Sequence, residues 1–262
     1  MIGAIIGDIV GSRFEWDNIK TKEFDFFTPD CFFTDDSVMT LAVAQAILNC
    51  GGDLDALERE TVACMRELGR RYPNAGYGGR FAMWLISINP KPYHSYGNGS
   101  AMRVSPCGFA AKTMEEAIAL ADAVTKVTHN HPEGMKGAEA TAAAIFLARS
   151  GASMQEIRAH IEQNYYKIDF TLDEIRPTYT FDVSCQGSVP QALEAFFEST
   201  DFEDAIRNAI SIGGDSDTIA AITGGIAEAY YGVPEHIREQ ALQYLDDRQK
   251  EILIAFEAKF SM

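Results

Sequence analysis

Two short acidic clusters hold the residue types from which chemistry can be built. Asp215, Asp217 and Thr218 open the stretch GGDSDTIAAITGGIAEAYYG from Gly213 to Gly232, and Thr34, Asp35 and Asp36 stand in FTDDSVMT. Each cluster precedes a small, apolar run, so each falls at the N-terminal end of a candidate helix. Asp, Ser and Thr there can simply satisfy free backbone N–H groups and complement the helix dipole. Carboxylates at i and i+2 do not share a face of a regular helix, which sets Asp215 in the Gly-Gly turn and Asp217 in the first helical turn. Brought together and buried, four carboxylates repel one another and take up protons unless cations lie between them. Two divalent ions would balance that charge. Ligands that are all oxygen, without Cys or His, select Mg²⁺ or Mn²⁺ over zinc. Two clusters of one composition favour a shared metal site over two independent helix caps.

Other stretches carry weaker signals. Tyr96-Gly97-Asn98-Gly99-Ser100 is a loop leading into a helix, where free N–H groups can hold a phosphate, although Asn-Gly is above all a turn former. In His129-Asn130-His131-Pro132 an imidazole can bond a phosphate or ribose, or cap the end of the preceding helix. Glu15 stands before a long aromatic loop as either a mobile or a solvated acid, and Arg103 can pair with a phosphate or with one of the many acids.

Composition narrows the class. The 262 residues are 47% hydrophobic and 23% charged, which is ordinary for a globular chain and enough for one large core. A net charge of −16 argues against nucleic-acid binding. No apolar run reaches the ~18 residues of a membrane span, and the N-terminal stretch, interrupted by Asp8, lacks the features of a signal peptide. Five scattered cysteines without a CxxC fit reduced thiols. The expectation is a cytoplasmic monomer.

The elements that position these residues read as helices throughout. The first runs from Ile2 to Phe14, buried and glycine-rich enough to imply close backbone approach. A second is entered through Thr34-Asp35-Asp36, and a third covers Leu54–Tyr72. A short apolar segment, Phe81–Ile88, and the Gly97–Ser100 turn precede helices at Met114–Val127, Pro132–Ser150 and Met154–Tyr165. After an extended interval come Pro190–Glu198, Phe202–Ile212, the helix behind Asp215, and a long C-terminal helix, Glu235–Phe260. The helix behind Asp215 has no polar face and belongs in the middle of the fold. No stretch alternates with period two between hairpin turns, so the fold class is all-α, a single multi-helix domain over residues 1–262 with a dinuclear metal cleft.

GDIVGSRFE, FTDDSVMT, GNGSAMRVSP, THNHP and GGDSDTIAAITGGI, in this order and spacing, resemble the ADP-ribosylglycohydrolase family, from Gly3 to about Gly232. The resemblance implies a compact all-α domain with two Mg²⁺ or Mn²⁺ ions in a cleft. It makes Thr34, Asp35, Asp36, Asp215, Asp217 and Thr218 the metal ligands. It lays Asn98, Gly99 and Ser100 on the diphosphate of ADP-ribose, sets His129 beside it, and matches Glu15 to the acid of a movable flap. The interval Thr178–Ser188 has no counterpart from which roles carry over.

Together these readings describe a metal-dependent glycosidase cleaving the N- or O-glycosidic bond between ADP-ribose and a protein side chain or small conjugate. Asp36, Asp217 or Glu15 would accept a proton from the attacking water, and nearby carboxylates would steady an oxocarbenium-like transition state. The rival classes are a crystallin-like structural protein, a non-catalytic ADP-ribose-binding module, and a phosphate-ester hydrolase on the same ions.

Overall fold

The small apolar run after Asp215 forms the helix Ser216–Tyr231, and every residue in it from Ser216 to Ala227 is buried. The structure, a computed structural model, describes residues 1–260. In chain order its helices are α1 Ile2–Gly11, α2 Asp35–Asn49, α3 Leu54–Arg71, α4 Gly79–Ile86, α5 Ser105–Ala110, α6 Met114–Thr125 and α7 Pro132–Arg149. They continue as α8 Met154–Asn164, α9 Leu172–Ile175, α10 Cys185–Phe197, α11 Phe202–Ser211, α12 Ser216–Tyr231, α13 Glu235–Ala241 and α14 Asp247–Phe260. Among the described residues no strand forms beyond one isolated antiparallel bridge between Gly97 and Ser184. The fold is all-α, with one contiguous hydrophobic core. No described helix is long and apolar enough to cross a membrane.

Helix α12 is the axle. It packs against α1, α7, α10 and α11, which is why it needs no polar face. Its contact with α1 is backbone against backbone. A methyl group added at Gly3 would fall on the Gly224 carbonyl oxygen, and one at Gly7 on that of Ala220. One at Gly11 would lie 2.6 Å from the Asp217 Cα. Glycine is poor in a helix interior, and the three α1 glycines are there because nothing larger fits. Glu228, near the far end of α12, accepts from Gly3 N at 2.7 Å and so satisfies a free donor at the start of α1.

Several boundaries differ from the sequence reading, each for a local reason. The first helix ends at Gly11 and tightens into a 3₁₀ turn, Ser12–Phe14. The segment around Phe81 is a helix from Gly79 that buries Phe81, Trp84 and Leu85. Helix α10 begins at Cys185, ahead of Pro190, because the Ser184 hydroxyl accepts from Gly187 N at 3.1 Å and starts it there. Pro190 then lies inside the helix, where it removes a single ladder bond. The C-terminal stretch is not one helix: a 3₁₀ turn, Leu242–Tyr244, separates α13 from α14. Asp246 and Gln249 exchange reciprocal side-chain-to-backbone bonds of 2.9 Å there, a capping box that restarts the helix.

The α1–α12 contact predicts the effect of Gly7→Ala. The added methyl meets a fixed carbonyl rather than a flexible side chain, so stability should fall by ~3 kcal/mol, the upper range for overpacking. Gly78→Ala, where nothing lies within 4 Å of the new methyl, serves as the control. Urea unfolding of both variants checks this; equal midpoints would mean that α1 and α12 can separate freely.

Candidate metal centre and substrate cleft

Asp215 immediately precedes α12 and makes no side-chain bond to the helix N–H groups. The simple cap reading fails at this position. Gly213 and Gly214, at φ 69° and 79°, form the left-handed turn that leads to it, and its Oδ2 accepts from Asn98 Nδ2 at 2.7 Å. Asp217 is buried in the first turn and accepts from Thr218 N at 3.0 Å. At the other cluster, Thr34 does cap α2, its Oγ1 accepting from Asp36 N at 3.3 Å. Thr218 Oγ1 donates to Asp36 Oδ2 at 3.1 Å, which ties the N-terminal ends of α2 and α12 together.

A residue outside both sequence clusters completes the joint. Asp8 on α1 is fully buried, and its two oxygens accept from Thr34 N at 2.9 Å, Thr34 Oγ1 at 2.6 Å, Ser37 N at 3.0 Å and the Ser37 hydroxyl. It caps α2 from across the interface. In the sequence it reads only as an interruption of an apolar run. Its spacing before Thr34 holds no signal, because the partners are brought together by the packing of α1.

The carboxylates converge in two groups. One oxygen each from Asp8, Asp36 and Asp217 lies within 4.8 Å of the others, and so does one each from Glu15, Asp215 and Asp217. Asp217 is common to both. Glu15, expected as an acid on a separate flap, thus comes within reach of two of the expected ligands. Asp35 is half-buried, lines the cleft and joins neither group. Asp36 Oδ1 is buried without a hydrogen-bond partner among the described residues. An orphaned carboxylate oxygen amid other carboxylates, with hard oxygen donors throughout, fits a divalent cation site.

The electrostatics point the same way. Burial, then the charges of Asp8, Asp35 and Asp215, hold Asp36 well above the usual carboxylate range. Burial followed by Asp36, Asp215 and Glu15 does the same to Asp217. Asp8 is raised by burial in spite of its hydrogen bonds, and Asp215 by burial in spite of Asn98. Asp35 is pushed up to about 8 by burial and by Asp8 and Asp215. Glu15 is pushed up to about 7 by burial and by Asp215. Without cations, this cluster stores protons.

A cleft of about 400 Å³ opens beside the acids, within the range of small-molecule sites. The turn Gly97–Gly99 and His129 line it as well. Asn98 reaches Asp215 and Ser188 Oγ (3.0 Å), so its amide orients a carboxylate. The Ser100 hydroxyl is turned away from the cleft and donates to Gly134 O at 2.8 Å. On this turn, backbone rather than side chain is left for a ligand. His129 lines the cleft at 5% exposure. Arg103 also lines the cleft and pairs with no acid among the described residues: its Nη2 donates to Val124 O and Thr128 Oγ1. The interval Thr178–Ser188 has a visible place in the structure. Asn98 N donates to Val183 O at 2.7 Å, Phe181 and Val183 line the cleft, and Phe181 stacks on the exposed Trp16 at 5.0 Å. These aromatic and bridging contacts leave no sequence signature, since they depend on two distant loops meeting.

The profile of the ADP-ribosylglycohydrolase family matches residues 1–259. The chain is similar to the ADP-ribosylhydrolase ARH3 of Homo sapiens, 27% identical over 93% of this chain and 88% of that protein. It is also similar to the ADP-ribosylarginine hydrolase Tri1 of Serratia proteamaculans, 26% identical over 88% of this chain and 70% of that protein. Among solved structures, an ADP-ribosylglycohydrolase-related protein complex superposes with a TM-score of 0.67 at 23% identity, covering 100% of this chain and 96% of that one.

The raised carboxyl groups set a pH dependence. Their native pKa values, about 7 for Glu15 and about 8 for Asp35, exceed the ~4 of the unfolded chain. The native state therefore binds more protons at these groups across that window, so their contribution to cation-free stability is fully present below about pH 4 and is lost as pH rises toward about 8. A bound cation favours the deprotonated groups, so its stabilisation should grow over the same window. Melting curves with chelator and with Mn²⁺ at about pH 5 and about pH 8 should show the chelated Tm falling and the gap widening. A gap independent of pH would leave the acids as ordinary caps.

Proposed function

The chain belongs to the ADP-ribosylglycohydrolase family, and on that premise we propose that it is a hydrolase releasing ADP-ribose from an ADP-ribosylated side chain or small conjugate with the help of two divalent cations, Mg²⁺ or Mn²⁺. The observation that carries this reading is Asp217, which lines the cleft and is shared by two three-carboxylate groups. A carboxylate so placed can serve two ions at once. Asp36 and Asp217 would hold one ion and Asp215 and Asp217 the other, with Thr34, Asp35 and Thr218 completing the donor set. When bound, the ions supply Lewis acidity toward the ribose hydroxyls and raise the acidity of a neighbouring water.

The remaining work falls to the chain's own side chains. Asn98 holds Asp215 in place, and Thr218 does the same for Asp36. Asp8 keeps its bonds to α2, a brace rather than a ligand. Glu15 is half-buried at the cleft, while the aspartates beside it in its group are buried. It is therefore the group placed to take a proton from a water attacking C1″. The surrounding carboxylates stabilise positive charge on the ribose ring as the acceptor departs. The Gly97–Gly99 turn and His129, which line the same cleft, would receive the diphosphate. The acceptor would be an arginine or serine side chain, or the acetyl group of a small conjugate; the ADP-ribosylhydrolase ARH3 and the ADP-ribosylarginine hydrolase Tri1 resemble this chain about equally.

Arginine-linked, serine-linked and O-acetyl ADP-ribose, each incubated with Mg²⁺ or Mn²⁺, test the reading by release of intact ADP-ribose. Asp217→Asn should lower kcat/KM by ~10³-fold or more, since one substitution affects both ions. Glu15→Gln should lower kcat by ~10²-fold or more while leaving ADP-ribose binding near wild type. Release of phosphate in place of ADP-ribose would make the protein a phosphate-ester hydrolase. Binding of ADP-ribose without turnover of any conjugate would make it a non-catalytic reader.

A further inference from the structure

Bonded to His129 Nδ1 is a chain of buried groups that the proposed reaction does not use. Arg103 is 1% exposed and the largest of the fully buried side chains. Its Nη2 donates to Val124 O at 3.1 Å and to Thr128 Oγ1 at 2.7 Å. The first of these bonds satisfies a carbonyl near the end of α6, a usual place for a cation. The second has a consequence for the histidine. Arginine has donors and no acceptor, so the Thr128 hydroxyl accepts from it. That hydroxyl is fully buried and has one proton of its own, and the remaining partner is His129 Nδ1 at 2.7 Å. A buried donor left unbonded is unfavourable. The Thr128 proton therefore goes to Nδ1, and Nδ1 is an acceptor.

A neutral imidazole that accepts at Nδ1 carries its proton on Nε2. His129 is kept neutral by its burial and by the charges of Arg103 and Arg80, which hold its pKa well below the usual histidine value. Its Nε2 has no hydrogen-bond partner among the described residues, and the ring lies across the glycine turn. Nε2 is 3.3 Å from the place a Cβ would take on Gly99 and 3.6 Å from that on Gly97. The other tautomer would present a lone pair to the cleft and repel an anion.

We propose that Arg103 and Thr128 are positioning residues that lock His129 in its Nε2–H tautomer, so that it donates to an anionic oxygen of a nucleoside diphosphate lying along the Gly97–Gly99 turn. The identity of that ligand as ADP-ribose rests on the function proposed above; the lock itself does not.

Thr128→Val keeps the shape and removes the hydroxyl, and Thr128→Ser restores it. Ring nitrogen shifts of His129, read by long-range ¹H–¹⁵N correlation on the ligand-free full chain and assigned with His129→Gln, report the tautomer directly. Wild type and Thr128→Ser should show a protonated Nε2 and a bare Nδ1, and Thr128→Val a mixture of both tautomers. Calorimetry on the same samples should show ADP-ribose bound about tenfold or more weakly by Thr128→Val and near wild-type affinity in Thr128→Ser. A wild-type Nδ1–H, an unchanged tautomer in Thr128→Val, or undiminished ADP-ribose affinity in that variant overturns the proposal. If wild type binds no ADP-ribose, the proposed function fails, and the nitrogen shifts alone still decide the lock.

Discussion

Everything at the acidic centre depends on how closely α1 approaches α12. Where Gly3 meets Gly224 and Gly7 meets Ala220, the two backbones touch with no side chain between them. That contact sets Asp8 and Gly11 of α1 against the first turn of α12, where Asp217 sits. Asp8 in turn takes the N–H and hydroxyl donors at the start of α2, which places Asp36. Three helices are thus indexed to one another through their ends. The register is set by backbone contact and by a buried, hydrogen-bonded carboxylate rather than by side-chain packing alone. A bulkier interface would move the helix ends apart and dissolve the cluster.

The same joint creates an electrostatic problem. Asp8, Asp36, Asp215 and Asp217 are all buried, and the dominant influences on Asp36 and Asp217 after burial are other carboxylates. Protons or cations must neutralise them. The chain as a whole offers little relief, with a net charge of −16. Its buried arginine in this region, Arg103, is engaged with the Val124 carbonyl and the Thr128 hydroxyl instead. The cleft is lined both by three of these acids, Asp36, Asp215 and Asp217, and by the cations Arg80 and Arg103.

Much of this was legible in the sequence where chemistry and helix grammar coincide. Thr34-Asp35-Asp36 and Asp215-Asp217-Thr218 stand out because helix N-terminal ends favour these residues and the runs behind them are too small and apolar to be anything but buried. The glycines of α1 signalled close approach, but not toward which helix. Asp8 was opaque, since a lone acid in an apolar run looks like a break until its partners on α2 are seen. The inward turn of Ser100 and the use of Asn98 on Asp215 were equally hidden: side-chain direction in a short 3₁₀ turn is decided by what packs around it. Some misses were readable after all. Ser184 ahead of Cys185, and Asp246 three residues before Gln249, are capping signals that place the starts of α10 and α14.

The central claim is that Asp217 joins two ions into one site, and electron paramagnetic resonance of the Mn²⁺-loaded protein tests it most directly. Wild type should take up two Mn²⁺ per chain and show a spin-coupled pair. Asp217→Asn, with its fold intact by circular dichroism, should lose the coupled signal. A single uncoupled Mn²⁺ in wild type, or a coupled pair that survives Asp217→Asn, would contradict the account.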